Sequence, residues 1–254
     1  MSLRPPTRRS EPDAPGVRPQ MLWSLRPRSD REAGDAIASN FLFHAFPAKV
    51  SKASMAWNYS FWLGTISAAL FFLLILSGLP LLFLYVPSVE RAYQSVKDIE
   101  FVITFGSWIR AVHRIAAHGM VIVVFLHLVR VFLTGAYKNG AGRGQHREWN
   151  WVLGVVMLLV TLFLSFTGYL LPWDQLAFWA VTVGTEMAGY VPIIGEQVKE
   201  TLLGGPTVDS STLLRFYVLH VAVLPSIIIM LLMVHLWRWR KDAMFEQQAE
   251  DDDE

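Results

Sequence analysis

Four long apolar runs constrain this chain more than any other feature of its sequence. They lie near residues 58–86, 108–134, 149–171 and 213–237. Each run is long enough to cross about 30 Å of hydrocarbon as a helix, which takes roughly 20 residues. Apolar residues make up 53% of the chain and charged residues only 17%. Since lipid offers no hydrogen-bond partners to the backbone, such runs predict helices. We expect an all-α membrane protein, a four-transmembrane-helix bundle.

The segments around these runs differ in composition. Residues 1–30 are basic and rich in proline, which predicts a disordered tail, and residues 31–57 have the mixture typical of an amphipathic segment on the membrane surface. Residues 58–241 form the predicted four-helix domain, and residues 242–254 form an acidic tail. Lys and Arg concentrate in the first tail, in the loop 137–149 and after the fourth run, so both termini are predicted to be cytoplasmic. Neither end resembles a nucleic-acid-binding segment.

Four histidines occupy the second and fourth runs at nearly equal spacing. His113 and His127 stand at positions i and i+14, and His220 and His235 at positions i and i+15. At 1.5 Å and ~100° per residue, the two histidines of each run stay on one side of their helix and are separated by about 21–22 Å. The predicted topology makes both helices run in the same direction. We therefore expect His113 to face His220 near the outer side (the first pair) and His127 to face His235 near the inner side (the second pair).

Ionisable groups inside membrane helices are rare and usually functional. Two imidazole pairs at two depths fit bis-histidine ligation of two stacked haems, because haem iron takes axial imidazoles. A single intramembrane histidine is explained equally well by an interhelical hydrogen bond. Zinc fits less well, since each site offers two imidazoles instead of a tetrahedral shell. His118 is assigned to packing, and His44 and His146 receive no role.

Glycines repeat the histidine period in the other two runs. Gly64 and Gly78 have the i, i+14 spacing, and so do Gly154 and Gly168. Glycine within a helix costs about 1 kcal/mol relative to alanine, but it lets a flat macrocycle approach the backbone because it has no Cβ. Packing between helices through small residues is the alternative. The shared period favours a haem cleft.

Basic residues close to the histidines are candidates for pairing with haem propionates, since guanidinium groups bind carboxylates well. For Arg238 and the residues beyond it, anchoring at the cytoplasmic interface is an equally good explanation. The candidates are Arg110, Arg114 and Arg215 near the first pair, and Arg130, Arg238, Arg240 and Lys241 near the second.

Four stretches carry most of these residues: "SWIRAVHR", "FLHLVRVFLTGAYK", "FTGYLLPWDQLAFWAVTVGTEMAGYVPIIG" and "TLLRFYVLHVAVLP". Together they resemble the cytochrome b of cytochrome bc complexes in its short, split form, which is similar to cytochrome b6. The resemblance runs from about Trp57 to Lys241 and includes the four histidines and the four glycines. The i, i+15 histidine spacing, Asp174 after Pro-Trp and Ala180 after Phe-Trp favour the split form over the long one.

The resemblance implies a dihaem subunit of a quinol-oxidising, proton-translocating complex. The first pair would hold a lower-potential haem and the second pair a higher-potential one. Quinol oxidised near the outer side would give one electron to a Rieske iron–sulfur protein and the other, through both haems, to quinone near the cytoplasmic face. Short surface helices in residues 172–212 would cover the quinol pocket. One wall of that pocket would be formed by Phe166, Tyr169, Pro172, Trp173, Phe178 and Trp179.

The resemblance also implies partners. A separate subunit would carry the C-terminal helices of cytochrome b, and a c-type cytochrome or a plastocyanin-like protein would accept electrons, so this subunit is not expected to oxidise quinol alone. A homodimeric complex in the bacterial inner membrane is expected. In cytochrome b6 a cysteine anchors an additional covalent haem, but Trp62 occupies that place here and the chain contains no cysteine. Covalent c-type attachment is therefore excluded, and we expect two non-covalent b-type haems.

Two other functions are open. A dihaem membrane anchor could link a dehydrogenase or a hydrogenase to the quinone pool, but it would need neither the "GYLLPWDQLAFW" stretch nor the long segment that follows it. A haem-free structural membrane protein would leave four matched histidines without a role. The cytochrome bc function is favoured over both.

Overall fold

The structure is a computed structural model that describes residues 61–139 and 146–252, with side chains described as far as residue 239. The predicted tail 1–30 and the predicted surface segment 31–57 lie outside the described residues. So do the side chains of the predicted acidic tail, 242–254, although its backbone is helical to residue 252.

Four helical spans in the described residues are long and apolar enough to cross a membrane. Since those residues contain no strand, the predicted all-α class with four membrane helices is confirmed. The fourth span, Ser210–Trp239, combines three helical segments. In chain order the elements are α1 Leu63–Leu84, α2 Ala92–Phe101, α3 Gly106–Leu133, α4 Arg147–Leu170, α5 Gln175–Gly189, α6 Gly195–Leu203, α7 Ser210–Val218, a π-helical segment Leu219–Val223 and α8 Leu224–Asp252.

The long helices pack mainly in two antiparallel partnerships. α1 packs along α3, and α8 packs along α4, while α3 also contacts α4. In the described parts of these helices, α3 makes no comparable contact with α7, the π-helical segment or α8. The two spans that carry the four histidines are therefore separated along their length, and each contacts a span that carries two of the glycines.

The π-helical segment explains why the histidine spacing differs by one residue between the two spans. A single π turn accommodates an additional residue within an otherwise α-helical segment. His220 lies inside this segment and His235 lies in α8. The chain between His220 and His235 therefore covers nearly the same length of helix as the chain between His113 and His127, in spite of its additional residue. Pro225, which cannot donate a backbone hydrogen bond, follows shortly after the segment.

A small hydrophobic core joins α4, α5 and α7 at the first-pair end of the molecule. Its buried members are Leu170, Ala177, Val181 and Phe216. Asp174 begins α5 by accepting a hydrogen bond from the backbone N–H of Ala177 at 2.8 Å, which satisfies an otherwise unpaired helix donor. This core holds α5 against the end of α4, so the helices of the 172–212 segment are attached to the membrane span.

An ion pair connects the two short helices of this segment. Lys199 Nζ in α6 lies 2.7 Å from Glu186 Oε1 in α5. The hydrogen bond from Lys199 to Glu186 raises the pKa of the lysine. The lysine therefore remains charged at neutral pH and keeps its contact with the carboxylate.

Tyr85, the residue that follows α1, connects α1 to the end of α4. Its hydroxyl donates a hydrogen bond to the carbonyl of Leu171 at 2.7 Å, and its ring centroid lies 5.6 Å from that of Tyr217. Burial, together with the neighbouring Tyr217, raises the pKa of Tyr85 well above its ordinary value. The hydroxyl therefore keeps its proton and can donate this hydrogen bond over the whole working pH range.

We predict that Tyr85→Phe lowers the free energy of unfolding by about 1 kcal/mol, because it removes the donor and leaves the Leu171 carbonyl unpaired. The melting temperature of the purified protein in detergent, followed by circular dichroism, should fall by roughly 2–4 °C. Tyr93→Phe is the matched control, since Tyr93 is 52% exposed and its ring keeps its contact with Lys97. Equal melting temperatures for the two variants would contradict the assignment.

Candidate functional site

The four histidines and the four glycines meet one to one. Each histidine of α3 lies against a glycine of α1, and each histidine of the fourth span lies against a glycine of α4. Because the glycines share the histidine spacing, both contacts recur at two depths, which gives two layers. The contacts join His113 to Gly78, His220 to Gly168, His127 to Gly64 and His235 to Gly154.

The closeness of these contacts shows what the glycines do. A Cβ atom on Gly168 would lie 2.6 Å from Cε1 of His220, far inside the roughly 3.5–4.0 Å at which carbon atoms pack. The corresponding distances are 3.2 Å and 3.3 Å for the two glycines of α1, and 4.0 Å between Gly154 and His235. The glycines are expected from the sequence to make room for a macrocycle. In this structure they make room for an imidazole ring beside the backbone.

The structure brings the two histidines of the first pair together across the gap between α3 and the fourth span. The ring centroids of His113 and His220 are 6.3 Å apart, and their planes are inclined at 76°. Bonds from a metal ion to imidazole nitrogen are about 2 Å long. One ion between the two rings therefore fits this separation, which also lies within the range of about 4.5–7 Å for an edge-to-face ring contact.

Hydrogen bonds fix the ring orientation in the first pair. Nδ1 of His113 lies 3.0 Å from Ser77 Oγ. Nδ1 of His220 lies 3.1 Å from Thr167 Oγ1 and 3.1 Å from the carbonyl oxygen of Leu164. A carbonyl only accepts, so the Nδ1 of His220 carries the proton and leaves the lone pair of Nε2 for a metal.

The second pair has a different environment. His127 lies within electrostatic range of both His235 and Arg130. The Nδ1 atoms of His127 and His235 are buried and make no hydrogen bond of ordinary geometry with the described residues, although the backbone of Asn150 lies close to His235. Buried polar atoms without partners are uncommon, and two of those in the described residues lie on rings proposed from sequence to bind a metal.

Ser77 and Thr167 are functional candidates that the sequence analysis missed. A signal for them exists, because each is a small hydroxyl residue directly before one of the repeated glycines, Gly78 and Gly168. Read alone, either dipeptide is an ordinary feature of membrane helices. Only the position of the hydroxyl beside an imidazole on a neighbouring helix gives it meaning.

Of the arginines expected near the first pair, two have protein partners in the structure. Arg110 forms an ion pair with Glu100 at 2.5 Å, and Arg215 donates a hydrogen bond to the Thr201 carbonyl at 2.5 Å. Arg114 is exposed and makes neither kind of contact with the described residues. Arg114 is therefore the most available of the three for a ligand carboxylate.

Near the second pair, Arg238 donates a hydrogen bond to the carbonyl of His146 at 3.3 Å, which links the fourth span to the start of α4. Arg130 lies near His127. The side chains of Arg240 and Lys241 lie outside the described part of the chain. Arg130 is thus the expected basic residue whose position beside the second pair can be described.

The six aromatic and proline residues expected to form a quinol pocket do not share one environment. Phe166 and Trp173 pack against the small hydrophobic core, and the ring of Phe166 lies against Gly184. Tyr169 and Trp179 are exposed, at 52% and 59% of their surface. Pro172 and Phe178 are half-buried, and the Phe178 ring meets Trp179 edge to face at 5.7 Å. The exposed rings face outward from α4 and α5, where a partner or a ligand can reach them.

His118 differs from the four paired histidines. It lies on α3 between His113 and His127, and its side chain is exposed. Packing against another helix of the described residues does not account for His118, and its assignment to packing stays a prediction. No group of three or more histidine, aspartate or glutamate side chains is arranged to hold a metal in the described residues, so the metal-binding candidates are the paired imidazoles.

This chain is similar in sequence to cytochromes b and b6. The family described as Cytochrome b/b6/petB matches residues 49–243. The chain is 42% identical over 178 residues to cytochrome b6 of Heliomicrobium gestii, covering 70% of this chain and 81% of that protein. It is 40% identical over 187 residues to cytochrome b6 of Prochlorococcus marinus, covering 74% and 83%.

A solved structure is similar as well. A chain of a hyperthermophilic respiratory Complex III matches with a TM-score of 0.62 and 31% sequence identity, over 72% of this chain. The match covers 48% of that chain, so the protein spans about half the length of its solved relative. The resemblance stated from the sequence motifs is thereby confirmed, and so is the multi-pass membrane character of the protein.

Two alanine substitutions on α4 should separate the roles of its glycines. Gly168→Ala places a methyl group 2.6 Å from the ring of His220, whereas Gly154→Ala places one at an ordinary 4.0 Å from His235. Since overpacking typically costs about 1–3 kcal/mol, we predict that Gly168→Ala displaces His220 and removes most of the b-type haem expected at His220, while Gly154→Ala keeps the haem content of the natural protein. A pyridine haemochrome assay of the purified complexes measures this. Equal haem content in the two variants would show that these contacts do not control the histidines.

Proposed function

This chain belongs to the cytochrome b/b6 family, and from that premise we propose that it is the dihaem cytochrome b subunit of a quinol-oxidising, proton-translocating complex of the cytochrome bc type. The observation that carries the proposal is the pair of layers between α3 and the fourth span. Each layer contains one histidine from each span and a glycine behind each ring. A membrane anchor for a dehydrogenase would not need α5 and α6, which favours the bc-type function.

The residues present fit two b-type haems. The first pair has rings 6.3 Å apart with hydrogen-bonded Nδ1 atoms, and the spans that carry the ligands are not packed against each other along their length, as a group held between them requires. Bound haem would supply one-electron transfer at an iron that can bind imidazole nitrogen. His113 and His220 would hold one haem, and His127 and His235 the other. Both would be held without covalent attachment, since the chain has no cysteine.

The two depths of the ligand pairs suggest the electron path. We propose that quinol is oxidised on the side of the first pair, where α5 and α6 lie. One electron would go to a Rieske iron–sulfur protein. The other would move from the haem site of the first pair to the haem site of the second pair, near which quinone would be reduced. Protons are released on the first side and taken up on the second. The haem held by His113 and His220 would have the lower reduction potential, and the haem held by His127 and His235 would have the higher one.

Basic residues near each pair would bind the carboxylates of the cofactor. Arg114 is the candidate next to the first pair, because Arg110 and Arg215 already have protein partners. Arg130 is the candidate at the second pair. Guanidinium–carboxylate contacts of this kind orient a bound group as well as hold it. The glycines Gly64, Gly78, Gly154 and Gly168 would complete the two cofactor sites.

The exposed aromatic surface supports a quinol pocket shared with another polypeptide. Tyr169 and Trp179 are available on the outer face of α4 and α5, and Phe166 and Trp173 support them from the core. We propose that a separate subunit with the C-terminal cytochrome b helices closes this surface. Quinol oxidation would then need both subunits and the Rieske protein, with a c-type cytochrome or a plastocyanin-like protein as acceptor.

We propose a homodimeric complex in the bacterial inner membrane, with both termini cytoplasmic. The support is the segregation of basic residues to the tail and to the loops on one side of the spans. Protease added from the cytoplasmic side should therefore reach both tails.

We predict that His220→Ala abolishes the haem of the first pair while sparing most of the second, because each haem depends on its own two imidazoles. Redox titration with optical difference spectra on the purified complex measures both components separately. His118→Ala is the matched control, since this exposed histidine lies in the membrane but outside both layers. If His220→Ala left both spectral components in place, the ligand assignment would be wrong.

A further inference from the structure

The two histidine pairs differ in one chemical feature, a hydroxyl group at the ring Nδ1. In the first pair, Ser77 Oγ lies 3.0 Å from Nδ1 of His113, and Thr167 Oγ1 lies 3.1 Å from Nδ1 of His220. In the second pair, the Nδ1 atoms are buried and make no hydrogen bond of ordinary geometry with the described residues. The asymmetry is complete, since both rings of one pair have a hydroxyl partner and neither ring of the other has one among the described side chains.

The sequence places this difference at equivalent positions. Ser77 and Thr167 directly precede Gly78 and Gly168, whereas Leu63 and Leu153 directly precede Gly64 and Gly154. Each leucine precedes the hydroxyl residue of its own helix at the i, i+14 spacing, which brings it to within ~40° of the same direction. A leucine in the second layer therefore occupies the place that a hydroxyl occupies in the first. The four residues concerned are Leu63 and Ser77 on α1, and Leu153 and Thr167 on α4.

The backbone around the rings does not account for the difference. The Leu74 backbone lies beside His113, the Leu164 carbonyl lies 3.1 Å from Nδ1 of His220, and the Asn150 backbone lies beside His235. In each case this residue is three positions before the serine, threonine or leucine in question. The backbone contact thus repeats in both layers where it can be described, and the hydroxyl is what distinguishes them.

The direction of these hydrogen bonds follows from their other partners. The Ser77 hydroxyl donates to the carbonyl of Leu73 at 2.7 Å, so its oxygen accepts from the Nδ1–H of His113. The Thr167 hydroxyl donates to the carbonyl of Leu164 at 3.0 Å and accepts from His220 in the same way. An imidazole whose N–H is held by an acceptor is a more basic ligand through its other nitrogen. A more basic ligand favours the oxidised metal and lowers its reduction potential.

We propose that the hydroxyls of Ser77 and Thr167 lower the reduction potential of the haem held by His113 and His220, and so set the order of potentials between the two pairs. Both are positioning residues, because they act through the imidazoles. The inference rests on the proposed function, since it requires haem at both pairs. In this way Ser77 and Thr167 would make electron transfer from the haem of the first pair to the haem of the second pair energetically favourable.

The test is an optical redox titration of the purified complex carrying Ser77→Ala, Thr167→Val or both. Each single variant should raise the equilibrium constant for reduction of the first haem about threefold, as expected for loss of one hydrogen bond. The double variant should raise it about tenfold, which is 59 mV for a one-electron couple. The second haem should keep its potential, and Ser77→Thr, which retains the hydroxyl, should restore the first.

Matched controls exist on the same two helices. Ser67 donates to the Leu63 carbonyl at 2.9 Å, and Thr161 donates to the Met157 carbonyl at 2.8 Å. Each makes the same kind of bond to its own helix as the residue under test, and neither is hydrogen-bonded to a histidine. Ser67→Ala and Thr161→Val should leave both potentials unchanged, which separates the proposed effect from the general cost of removing a hydroxyl from a membrane helix.

A gain-of-contact variant keeps the proposal testable if a loss variant fails to assemble. Leu153→Thr places a hydroxyl three positions after Asn150, in the position that Thr167 has relative to Leu164. It should lower the equilibrium constant for reduction of the second haem about threefold and leave the first unchanged. A variant with both haems present and no shift in either experiment would overturn the proposal. A wild-type complex without haem would instead overturn the proposed function.

Discussion

Each membrane-embedded imidazole of the two pairs lies beside a glycine of a neighbouring helix, and at Gly64, Gly78 and Gly168 a Cβ would come closer to the ring than ordinary packing allows. This contact determines which spans pair, because the histidines of α3 meet the glycines of α1 and those of the fourth span meet the glycines of α4. Gly168 shows how strict the requirement is, since a Cβ there would lie 2.6 Å from the His220 ring. A helix with glycine at these positions gives up about 1 kcal/mol of propensity at each, which the ring contact offsets.

The π-helical segment compensates for the unequal histidine spacing of the two spans. Two layers require the histidines of both spans to be separated by the same distance along nearly parallel helices. Span α3 does this with the i, i+14 spacing, whereas the spacing in the fourth span is i, i+15. A uniform α-helix would turn His235 by ~100° from the matched direction, whereas a π turn containing His220 takes up the additional residue locally. The π-helical segment thus lets the i, i+15 histidine spacing of the fourth span match the i, i+14 spacing of α3.

The sequence predicts the parts of this architecture that repeat. The four spans follow from apolar length, and the match of histidines to glycines follows from a shared period. Contacts between side chains of different elements leave no such pattern, so the Arg110–Glu100 pair, the bond from Arg215 to Thr201 and the hydroxyl at His113 are visible only in the structure. The helical phase of His118 likewise says which side of α3 it occupies but not what covers that side.

The weak packing between α3 and the fourth span has a thermodynamic consequence. Only a small fraction of each span is buried within this chain, and lipid provides no hydrophobic drive for helices to associate. Four imidazole rings nevertheless lie within these spans, each beside a glycine, and two of them have buried Nδ1 atoms without hydrogen bonds to the described residues. A group that bonds to His113 and His220, or to His127 and His235, joins spans that are otherwise held together mainly through α1 and α4. A group that binds only the folded state would stabilise the bundle, and a higher affinity would give a larger stabilisation. The fold would then depend on the bound group, as the binding site depends on the fold.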